Sequence, residues 1–313
     1  MAMIPESVLT HQRRNNAAMN PIETALLAHA RHQFELAQQL CHADCCDYHA
    51  AWPFLRVARL VGGIDADRAP LTELLHPLLQ RPGLRVLIAG CADSAQLALV
   101  QELAAGNRPS VTVIDRCATP LAACSAVAAP GLGTPQVLQL DALALRPDAP
   151  FDLILCHSLF PFLAASQRCE LLRLFSQWLA PQGRLLLAVK LDPTGAAAAD
   201  VAAASAPEEV AQWVMGRTAR AIRVLDDLPP LQGVDKPALF SAVAGFYRFM
   251  AGKPTPYASA EQLLLECAAA GLMLRQRRAG GVGQGYPGAH AAVSGLASVL
   301  LELSATGAGT GGA

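Results

Sequence analysis

The sequence predicts an α/β protein built on a doubly wound, mostly parallel sheet of seven strands. Between residues 84 and 190, short apolar segments alternate with segments of helical periodicity. The apolar segments are hydrophobic along their whole length, as expected of strands that helices cover on both faces. Two further apolar segments, at 272–278 and 292–303, raise the number of predicted strands to seven.

The elements of the sheet domain follow in order along the chain. Its first five strands are expected at 84–90, 110–115, 135–141, 151–157 and 184–190. Helices are expected at 94–105, 119–128, 165–179 and 259–271, where apolar residues recur at three- and four-residue steps. Gly106 follows the first of these helices as a C-cap, and Ser259 is an N-cap for the last. The letters PQG before residue 184 indicate a turn.

Outside the sheet, the sequence predicts a helical cover and an insertion. Helical patterns fill the region 21–80, which we expect to form an N-terminal helical cover. The core is then made of residues 81–191 and 259–304. An alanine- and proline-rich region, 192–258, interrupts the alternation and is expected to be a helical insertion that covers the substrate. The two ends of the chain, 1–20 and 305–313, are expected to be disordered tails.

The composition excludes several classes of function. Hydrophobic residues make up 53% of the 313 residues, charged residues make up 16%, and the formal net charge is −1. A chain with no basic excess is poorly suited to nucleic acid, so no nucleic-acid partner is expected. The sequence has no run of about 18 apolar residues and no signal-peptide core, so we expect a cytoplasmic protein without a membrane partner. The nine cysteines are then free thiols, and association into a homodimer stays open.

Acidic and polar side chains follow the predicted strands at their carboxyl ends, where open parallel sheets bind ligands. The first strand runs into the turn GCADS, which begins at Gly90. Asp115 ends the second strand, 25 residues after Gly90, where a carboxylate can accept hydrogen bonds from a ribose diol. Asp141 ends the third strand and can accept a hydrogen bond from an adenine amino group. Each acid has the alternative role of a helix cap or a solvent-facing loop residue.

These stretches resemble the class I S-adenosylmethionine-dependent methyltransferases of the small-molecule type. The resemblance is carried by RVLIAGCADSAQL, VTVIDRCATPL, VLQLDALAL and FDLILCHSLFPFLAASQRCELLRLFSQWLAPQGRLLLAVK. It covers residues 83–190 well and 259–303 more loosely, where a helix, a strand, a loop and a strand suit the terminal hairpin of that family. It implies a Rossmann-like core with S-adenosylmethionine as the cofactor.

The resemblance also implies roles for residues at the strand ends. The turn would hold the methionine part of the cofactor, Asp115 the ribose hydroxyls, and Asp141 the adenine region. The full set of expected cofactor-binding residues is Gly90, Cys91, Ala92, Asp93, Asp115, Arg116, Asp141, Ala142 and His157.

The turn departs from the family pattern. Ile88 stands where the family usually has an acid, and Ala92 and Ser94 stand where it has further glycines. Asp93 can compensate by meeting the amino group of the cofactor, or it can cap the following helix. An NAD pyrophosphate prefers a glycine-rich helix N-terminus, and a carboxylate there would repel it. A cationic sulfonium tolerates that carboxylate.

The candidate catalytic residues are His157, Tyr48 and His49. His157 ends the fourth strand, where the family presents residues to the methyl group, and is a candidate base or substrate ligand, with a structural edge histidine as the alternative. Cys156 is not expected to be a nucleophile, because Leu155 precedes it where cytosine-directed enzymes have proline. The sequence HSLFPF also lacks the Asn/Asp-Pro-Pro-aromatic motif of enzymes that methylate amino groups of adenine or glutamine.

The N-terminal cover contributes further candidates. Cys41, Cys45 and His49 would share one helical face, but no second ligand pair is evident in the sequence, so no metal is expected and packed thiols are favoured. Trp52, near Tyr48 and Arg56, is a candidate substrate contact that could also meet the sulfonium by cation–π interaction, with ordinary core packing as the favoured alternative. In the insertion, Tyr247 and Tyr257 are candidates for the opposite wall of the pocket, with plain surface packing as the alternative. The candidate substrate-binding residues are therefore Trp52, Tyr247 and Tyr257.

The leading hypothesis is a methyltransferase that acts on a small molecule in specialised metabolism, because a cover and an insertion would both close over the cofactor. One alternative keeps the cofactor and releases methylthioadenosine, by intramolecular displacement or by aminocarboxypropyl transfer. A second alternative is a non-catalytic scaffold with a vestigial fold.

Overall fold

The structure, a computed structural model, describes residues 21–104, 106–127, 134–191, 207–226, 234–253, 257–282 and 297–306. The predicted tail 1–20, most of the tail 305–313, and parts of the insertion lie outside these residues. The same holds for the glycine-rich loop after Val282 and for the first residues of the predicted strand 292–303. All structural statements below concern the described residues.

Seven strands form one sheet in the order β3-β2-β1-β4-β5-β7-β6. The strands are β1 Arg85–Ala89, β2 Ser110–Asp115, β3 Gln136–Gln139, β4 Phe151–His157, β5 Leu179–Lys190, β6 Leu272–Val282 and β7 Ala297–Ala305. Strands β1 to β5 pair in parallel, and β7 pairs antiparallel with both β5 and β6. The predicted fold class, a doubly wound and mostly parallel sheet of seven strands, is confirmed.

Nine helices surround the sheet within the part of the chain that the structure describes. They are α1 Pro21–Leu40, α2 Cys46–Val57, α3 Arg68–Leu79, α4 Ala95–Ala104, α5 Ala118–Ala126, α6 Ala165–Trp178, α7 Pro207–Asp226, α8 Lys236–Ala251 and α9 Ala260–Ala269. Short helical turns lie at Ile64–Asp67, Ala142–Ala144 and Phe160–Phe162. The predicted caps are present: Gly106 has φ +97° after α4, and the Ser259 hydroxyl accepts from the Gln262 N–H at 3.3 Å before α9.

Alternate residues of the strands supply two separate cores. On β1, Leu87 and Ala89 face the layer of α6 and α9, whereas Val86 and Ile88 face the layer of α3, α4 and α5. All four side chains are fully buried, which explains why the strand is apolar throughout. Ile88 lies between Val113 of β2 and Leu155 of β4, so an acid at that position would be a buried charge in the middle of the sheet.

The predicted turn at PQG takes a different form, because β5 begins earlier than residue 184. Phe151 pairs with Leu179 and Leu153 pairs with Arg184, so between these two pairs one residue of β4 faces four residues of β5. Gly183 lies in this bulge, where an added Cβ would meet the Phe151 carbonyl oxygen at 2.8 Å. The turn signal therefore marks a bulge within the strand rather than its start.

A third core joins the N-terminal cover to the insertion. Helices α1 and α2 pack against α7 and α8 through buried side chains that include Phe34, Phe54, Leu225 and Phe246. Neither pair of helices belongs to the two cores of the sheet, so the cover and the insertion form one helical layer of their own. Among the described helices, none combines the length and the apolar character needed to cross a bilayer.

Candidate active site

The strand order reverses between β1 and β4, and the turns after β1 to β4 lie at the same edge of the sheet. Gly90 begins the turn after β1 with φ +78°, and its N–H donates to the Ile114 carbonyl at 2.9 Å. An added Cβ at Gly90 would lie 2.9 Å from Leu159 Cδ1. Glycine is thus required here both by the backbone and by the close approach of the turn after β4.

Asp115, at the tip of β2, holds the two turns beside it in place. Its Oδ2 accepts from the Cys91 N–H at 2.9 Å, and its Oδ1 accepts from the Cys117 N–H at 2.8 Å. Burial raises the pKa of this carboxyl group, and the two backbone donors oppose that rise. Each carboxylate oxygen has capacity for a second hydrogen bond, so the group retains acceptor sites toward the sheet edge.

Asp93 in the first turn forms hydrogen bonds and an ion pair with other residues of the protein. Its Oδ1 accepts from the Ala95 N–H at 2.8 Å, and its Oδ2 accepts from Trp52 Nε1 at 3.0 Å and from the Arg56 guanidinium. Burial acts to raise the pKa of Asp93, but Arg56 and these donors outweigh it and lower the pKa below its ordinary value. Asp93 therefore caps α4 and forms a buried ion pair, while the expected contact with the amino group of a cofactor stays a prediction.

Gln33 of α1 is absent from the sequence-derived site but lies against the first turn. It is fully buried, and its Nε2 donates to the Ala92 carbonyl at 2.8 Å. Its Oε1 is buried and has no hydrogen-bond partner within the described residues. In the sequence, the only indication of this role is that a polar residue lies beside the apolar residues Ala30, Phe34 and Ala37 of an amphipathic helix, all of which are buried. The sequence could not say which loop that glutamine would meet.

The predicted adenine end of the site lies after β3. Asp141 accepts from the Leu143 N–H at 2.9 Å, which caps the short turn Ala142–Ala144. Its Oδ2 lies 3.7 Å from Arg116 Nε, and the Arg116 side chain is 78% exposed. Ala142 is half-buried against the core. Asp115, Arg116, Asp141 and Ala142 are thus neighbours at the ends of the adjacent parallel strands β2 and β3.

Aromatic rings from three elements meet above this edge. Tyr48 of α2 stacks on Trp52 with ring centroids 5.6 Å apart and on Phe246 of α8 with centroids 5.5 Å apart. Phe162, in the turn after β4, approaches Tyr48 edge-on at 5.6 Å, and Phe249 lies 5.5 Å from Tyr48. The ring of Tyr48 therefore lies at the centre of an aromatic cluster formed by Tyr48, Trp52, Phe162, Phe246 and Phe249.

Tyr48 cannot act as a phenolate at neutral pH. Burial raises the pKa of its hydroxyl group, and the nearby Asp93 and Asp115 carboxylates raise it further. The phenol therefore stays protonated, and its available roles are those of a ring surface and a hydrogen-bond donor.

His157 forms a buried pair with an acid that sequence reasoning did not single out. Its Nε2 lies 2.8 Å from Oδ2 of Asp67, at the end of the turn Ile64–Asp67 that precedes α3. Both side chains are more than nine-tenths buried. Ser158 follows with φ +57°, so the chain turns sharply at the end of β4. Cys156 is fully buried, and burial raises the pKa of its thiol to about 12, which disfavours the thiolate form that a nucleophile needs.

Two of the expected substrate contacts take other places. Tyr257 is fully buried in the core on the α6 and α9 face, donates its hydroxyl hydrogen to Glu266, and lies under the Arg168 guanidinium. It is therefore a core residue and does not line the aromatic cluster. Tyr247 packs edge-on against Trp213 of α7 at 5.9 Å, which places it between the two insertion helices. Its neighbours on α8, Phe246 and Phe249, face the cluster instead.

The His49 ring packs edge-on against Tyr48 of the aromatic cluster, with centroids 5.1 Å apart, and it also adjoins three thiols. Its Nδ1 lies 3.4 Å from Cys41 Sγ, and the Cys45 and Cys117 thiols adjoin it. Burial acts to lower the pKa of His49, but hydrogen bonds with Cys117 and Cys45 raise it above its ordinary value. Cys41, Cys45 and His49 lie together as expected, but they do not share one helical face. The reason is that α2 begins only at Cys46, and Cys41 lies in the connection before it. Cys117, from the turn after β2, joins this group.

Comparison with known proteins supports the fold. No protein-family model matches the sequence. No curated protein matches it either. Among solved structures, the chain is similar to 1,6-didemethyltoxoflavin-N1-methyltransferase from Burkholderia thailandensis, solved with bound 1,6-didemethyltoxoflavin and S-adenosylhomocysteine. The identity is 16%, the TM-score is 0.51, and 93% of each chain is covered.

Two further solved methyltransferases resemble the chain at lower structural similarity. N-methyltransferase NodS from Bradyrhizobium japonicum WM9, in complex with S-adenosyl-L-homocysteine, is 16% identical with a TM-score of 0.47, over 88% of this chain and 98% of that one. Magnesium protoporphyrin IX methyltransferase from Synechocystis PCC 6803, with bound SAM, is 11% identical with a TM-score of 0.45, over 93% and 100%. Together with the strand order, the first of the three similarities shows that the chain has the class I methyltransferase fold.

Proposed function

We propose that this protein is an S-adenosylmethionine-dependent methyltransferase that acts on a small molecule, in specialised metabolism. The observation that carries the proposal is the Asp115 carboxylate, which is fixed by two backbone donors at the tip of β2, next to the Gly90 turn. In this fold the site beside the strand-order reversal takes a nucleoside, and an acid at the second strand end accepts from the ribose.

The residues of the first turn fit S-adenosylmethionine better than a pyrophosphate cofactor. The N–H of Ala95, at the start of α4, is already bonded to Asp93 and is not open to a phosphate. Gln33 Oε1 is a buried acceptor that has no partner among the described residues, beside the turn where the methionine amino group would lie. An ammonium group would satisfy that oxygen, whereas a phosphate would repel it. Asp115 and Asp141 would then hold the ribose and the adenine, with Arg116 and Ala142 beside them.

When bound, the cofactor would supply an electrophilic methyl group on a cationic sulfur. The substrate nucleophile would bond to that methyl carbon as the carbon–sulfur bond breaks, and S-adenosylhomocysteine would be the leaving group. The protein aligns the reactants and excludes water from them. The aromatic cluster covers the sheet edge with apolar ring surfaces, which suit an apolar small substrate. The Lys253 ammonium already lies 4.4 Å from the Phe249 ring centroid, so the cluster also tolerates a cation such as the sulfonium. Such a wall leaves little room for a macromolecule, so no nucleic-acid partner is proposed.

His157 is the candidate base for substrates that must lose a proton. Asp67 Oδ2 accepts a hydrogen bond from His157 Nε2 and would stabilise the imidazolium that forms, as an acid does in other histidine pairs. Tyr48 contributes as a neutral phenol, and Trp52 contributes its ring while its N–H is bonded to Asp93.

The proposal is tested first by binding. Titration calorimetry should detect S-adenosylmethionine binding to the wild-type chain and none to Asp115→Ala. Asp148→Ala is the control, because Asp148 is an acid that pairs with Arg85, at the start of β1 and so at the opposite end of the strands. If the wild-type chain fails to bind at millimolar ligand, the scaffold alternative is favoured and the enzyme proposal fails.

Product analysis separates methyl transfer from the second enzyme hypothesis. The altered first turn, with Asp93 committed to Arg56 and Trp52, is the observation that keeps this alternative open. Mass spectrometry of turnover mixtures should find S-adenosylhomocysteine and a substrate heavier by one methyl group. Methylthioadenosine as the main product would replace methylation by intramolecular displacement or aminocarboxypropyl transfer.

A further inference from the structure

Four side chains with metal-binding atoms converge beside the tip of β2. Cys41 follows α1, Cys45 precedes α2, His49 lies in the first turn of α2, and Cys117 follows β2. Their three sulfur atoms and one ring nitrogen all lie within 4.8 Å of one another. The donors come from two segments that are about 70 residues apart in sequence, so only the fold brings Cys117 to the other three.

Three of the six spacings between the donor atoms are close to the edges of a zinc tetrahedron. With Zn–S bonds of about 2.3 Å and Zn–N bonds of about 2.0–2.1 Å, neighbouring sulfurs lie about 3.8 Å apart, and sulfur and nitrogen about 3.6 Å apart. In the structure, Sγ of Cys45 and Cys117 are 3.8 Å apart, Sγ of Cys41 and Cys117 are 3.4 Å apart, and Cys41 Sγ lies 3.4 Å from His49 Nδ1. A central ion therefore requires shifts of only a few tenths of an ångström along these edges.

The backbone around the donors is already ordered. The Cys45 N–H and the Cys46 N–H both donate to the His42 carbonyl, and the His49 N–H donates to the Cys45 carbonyl at 3.1 Å, so the turn and the helix start fix two ligands. The Cys117 N–H donates to Asp115 Oδ1, which fixes the fourth. Thr119 Oγ1 lies 3.0 Å from Cys41 Sγ and can donate to its thiolate, as outer-shell groups do in metal sites.

The burial of the four residues also suits a metal. His49 and Cys117 are buried, whereas Cys41 and Cys45 are half-buried and leave a path from solvent. Three cysteines and one histidine form a recurrent donor set of closed, structural zinc sites. Soft thiolate donors disfavour magnesium and calcium, which prefer oxygen ligands.

We propose that Cys41, Cys45, His49 and Cys117 bind one Zn²⁺ ion in a closed, tetrahedral, structural site. Binding forms three zinc–sulfur bonds and one zinc–nitrogen bond and releases the three thiol protons to solvent, with no change of oxidation state. His49 ligates through Nδ1. The four ligands complete the coordination sphere, so the ion has no open position and takes no part in the transfer chemistry.

The site would join the N-terminal cover to the sheet at the strand end that carries Asp115. Cys117 lies two residues after Asp115, and the three other ligands lie between α1 and the first turn of α2. Since α2 also carries Tyr48 and Trp52, the ion would set the position of the aromatic cluster relative to the second strand end. The proposal stands independently of the proposed activity, because it concerns folding and metal content.

Cys46 provides a matched control. It is half-buried, adjacent to Cys45, and its thiol donates to the Ala37 carbonyl at 3.4 Å outside the cluster. Cys46→Ser therefore removes a thiol of similar exposure from the same helix start without removing a proposed ligand.

The first test measures metal content on full-length protein prepared with a reductant that does not chelate metals. Elemental analysis should find about one zinc per chain in the wild type and in Cys46→Ser. Cys45→Ser and Cys117→Ser should lose at least ~10-fold in zinc affinity. The proposal is overturned if the reduced wild-type chain takes up no stoichiometric zinc, or if Cys46→Ser loses as much zinc affinity as Cys117→Ser.

The second test remains decisive if a ligand variant folds poorly. Replacement of zinc by Co²⁺ in the wild type should give the intense visible bands of a tetrahedral ion and a thiolate charge-transfer band, and chelator should lower the melting temperature of the wild type and of Cys46→Ser alike. A cobalt spectrum typical of six oxygen or nitrogen ligands contradicts the site. A Cys41–Cys117 disulfide found by mass spectrometry in native, metal-free protein that zinc does not prevent also contradicts it.

Discussion

The turns after β1 and β2 are neighbours, both lie under the N-terminal cover, and each contains an acid. The cover holds the first turn with polar groups: Gln33 reaches the Ala92 carbonyl, and Arg56 with Trp52 binds Asp93. At the second turn, the cover places two thiols and the imidazole of His49 around Cys117. Asp93 accepts from two side chains of the cover. Within the part of the chain that the structure describes, Asp115 accepts only from the N–H groups of Cys91 and Cys117.

The different partners of Asp93 and Asp115 indicate that a position at a strand end does not by itself make an acid a ligand-binding group. A carboxylate with an arginine, an indole N–H and a helix N–H as partners has little capacity left for a ligand. A carboxylate that has only backbone donors is fixed in place but keeps acceptor sites. We therefore propose Asp115 rather than Asp93 as the contact to a cofactor.

The largest expected effect concerns the ion pair of the first turn. Arg56→Leu keeps apolar bulk but leaves Asp93 buried without its cation, which should lower the free energy of unfolding by about 3–5 kcal/mol. Arg68→Leu, which breaks the exposed pair with Glu102, should cost no more than about 1 kcal/mol. Urea unfolding of both variants measures the difference. Equal costs would show that the buried pair does not hold the first turn.

The effect of Arg56→Leu should depend on pH in one direction. The folded-state pKa of Asp93 lies below its ordinary value of 3.8, so the stability that the carboxylate contributes is complete above that value and is lost as pH falls through the lowered folded pKa. The gap in unfolding free energy between wild type and Arg56→Leu should therefore be widest near neutral pH and should shrink below about pH 4. A gap that stays constant down to pH 3 would exclude Asp93 as its source.

The next effect separates the two acids. Asp115→Asn should weaken S-adenosylmethionine binding about 100-fold, equivalent to about 2.8 kcal/mol, and should lower stability by only about 1–2 kcal/mol. Asp93→Asn should show the opposite balance, with a larger loss of stability and a change in affinity of less than about tenfold. Calorimetry and urea unfolding on the same preparations give both values. A reversed balance would make Asp93 the ligand contact.

Gln33→Leu should have a moderate effect. It removes the hydrogen bond to the Ala92 carbonyl and also removes an oxygen that has no partner among the described residues, so the net loss of stability should be about 1 kcal/mol. Affinity for S-adenosylmethionine should fall about tenfold if Gln33 Oε1 accepts from the ammonium group. Gln80→Leu, which loses a comparable bond to the Leu103 carbonyl far from the turn, should leave affinity unchanged. A loss of stability without any loss of affinity would confine Gln33 to a structural role.

The smallest expected effect comes from a pair of glycines with positive φ. Gly90→Ala and Gly106→Ala should each cost about 1 kcal/mol of stability, since φ is +78° and +97° respectively. Only Gly90→Ala also presses on Leu159 in the turn after β4, because nothing lies within 4 Å of an added Cβ at Gly106. Cofactor affinity should therefore fall in Gly90→Ala alone. Binding and melting measurements on both variants test this prediction. An equal effect of the two substitutions on cofactor affinity would place Gly90 outside the site.

The candidate site was only partly accessible from the sequence. Residues at the strand ends, such as Asp115 and Asp141, follow from local patterns, because parallel strands present their carboxyl ends at one edge. The partners of Asp93 do not, since Trp52 and Arg56 lie about 40 residues away on a helix whose docking no local pattern specifies. The same limit explains why Tyr257 was expected in the pocket wall: an aromatic residue in an insertion has no local signal for the core that buries it.

By itself, the sequence determined the alternation of strands and helices, the fold class and the caps at Gly106 and Ser259. These features depend on periodicity, backbone conformation and hydrogen bonds within a few residues. Three outcomes depended on tertiary packing. Asp93 pairs with Arg56, whereas Asp115 accepts from backbone N–H groups. Phe246 and Phe249 rather than Tyr257 face Tyr48, and Cys117 meets Cys41, Cys45 and His49. Each of these outcomes joins distant segments through the packing of whole helices on the sheet, and a contact of that kind leaves no trace in the order of neighbouring residues.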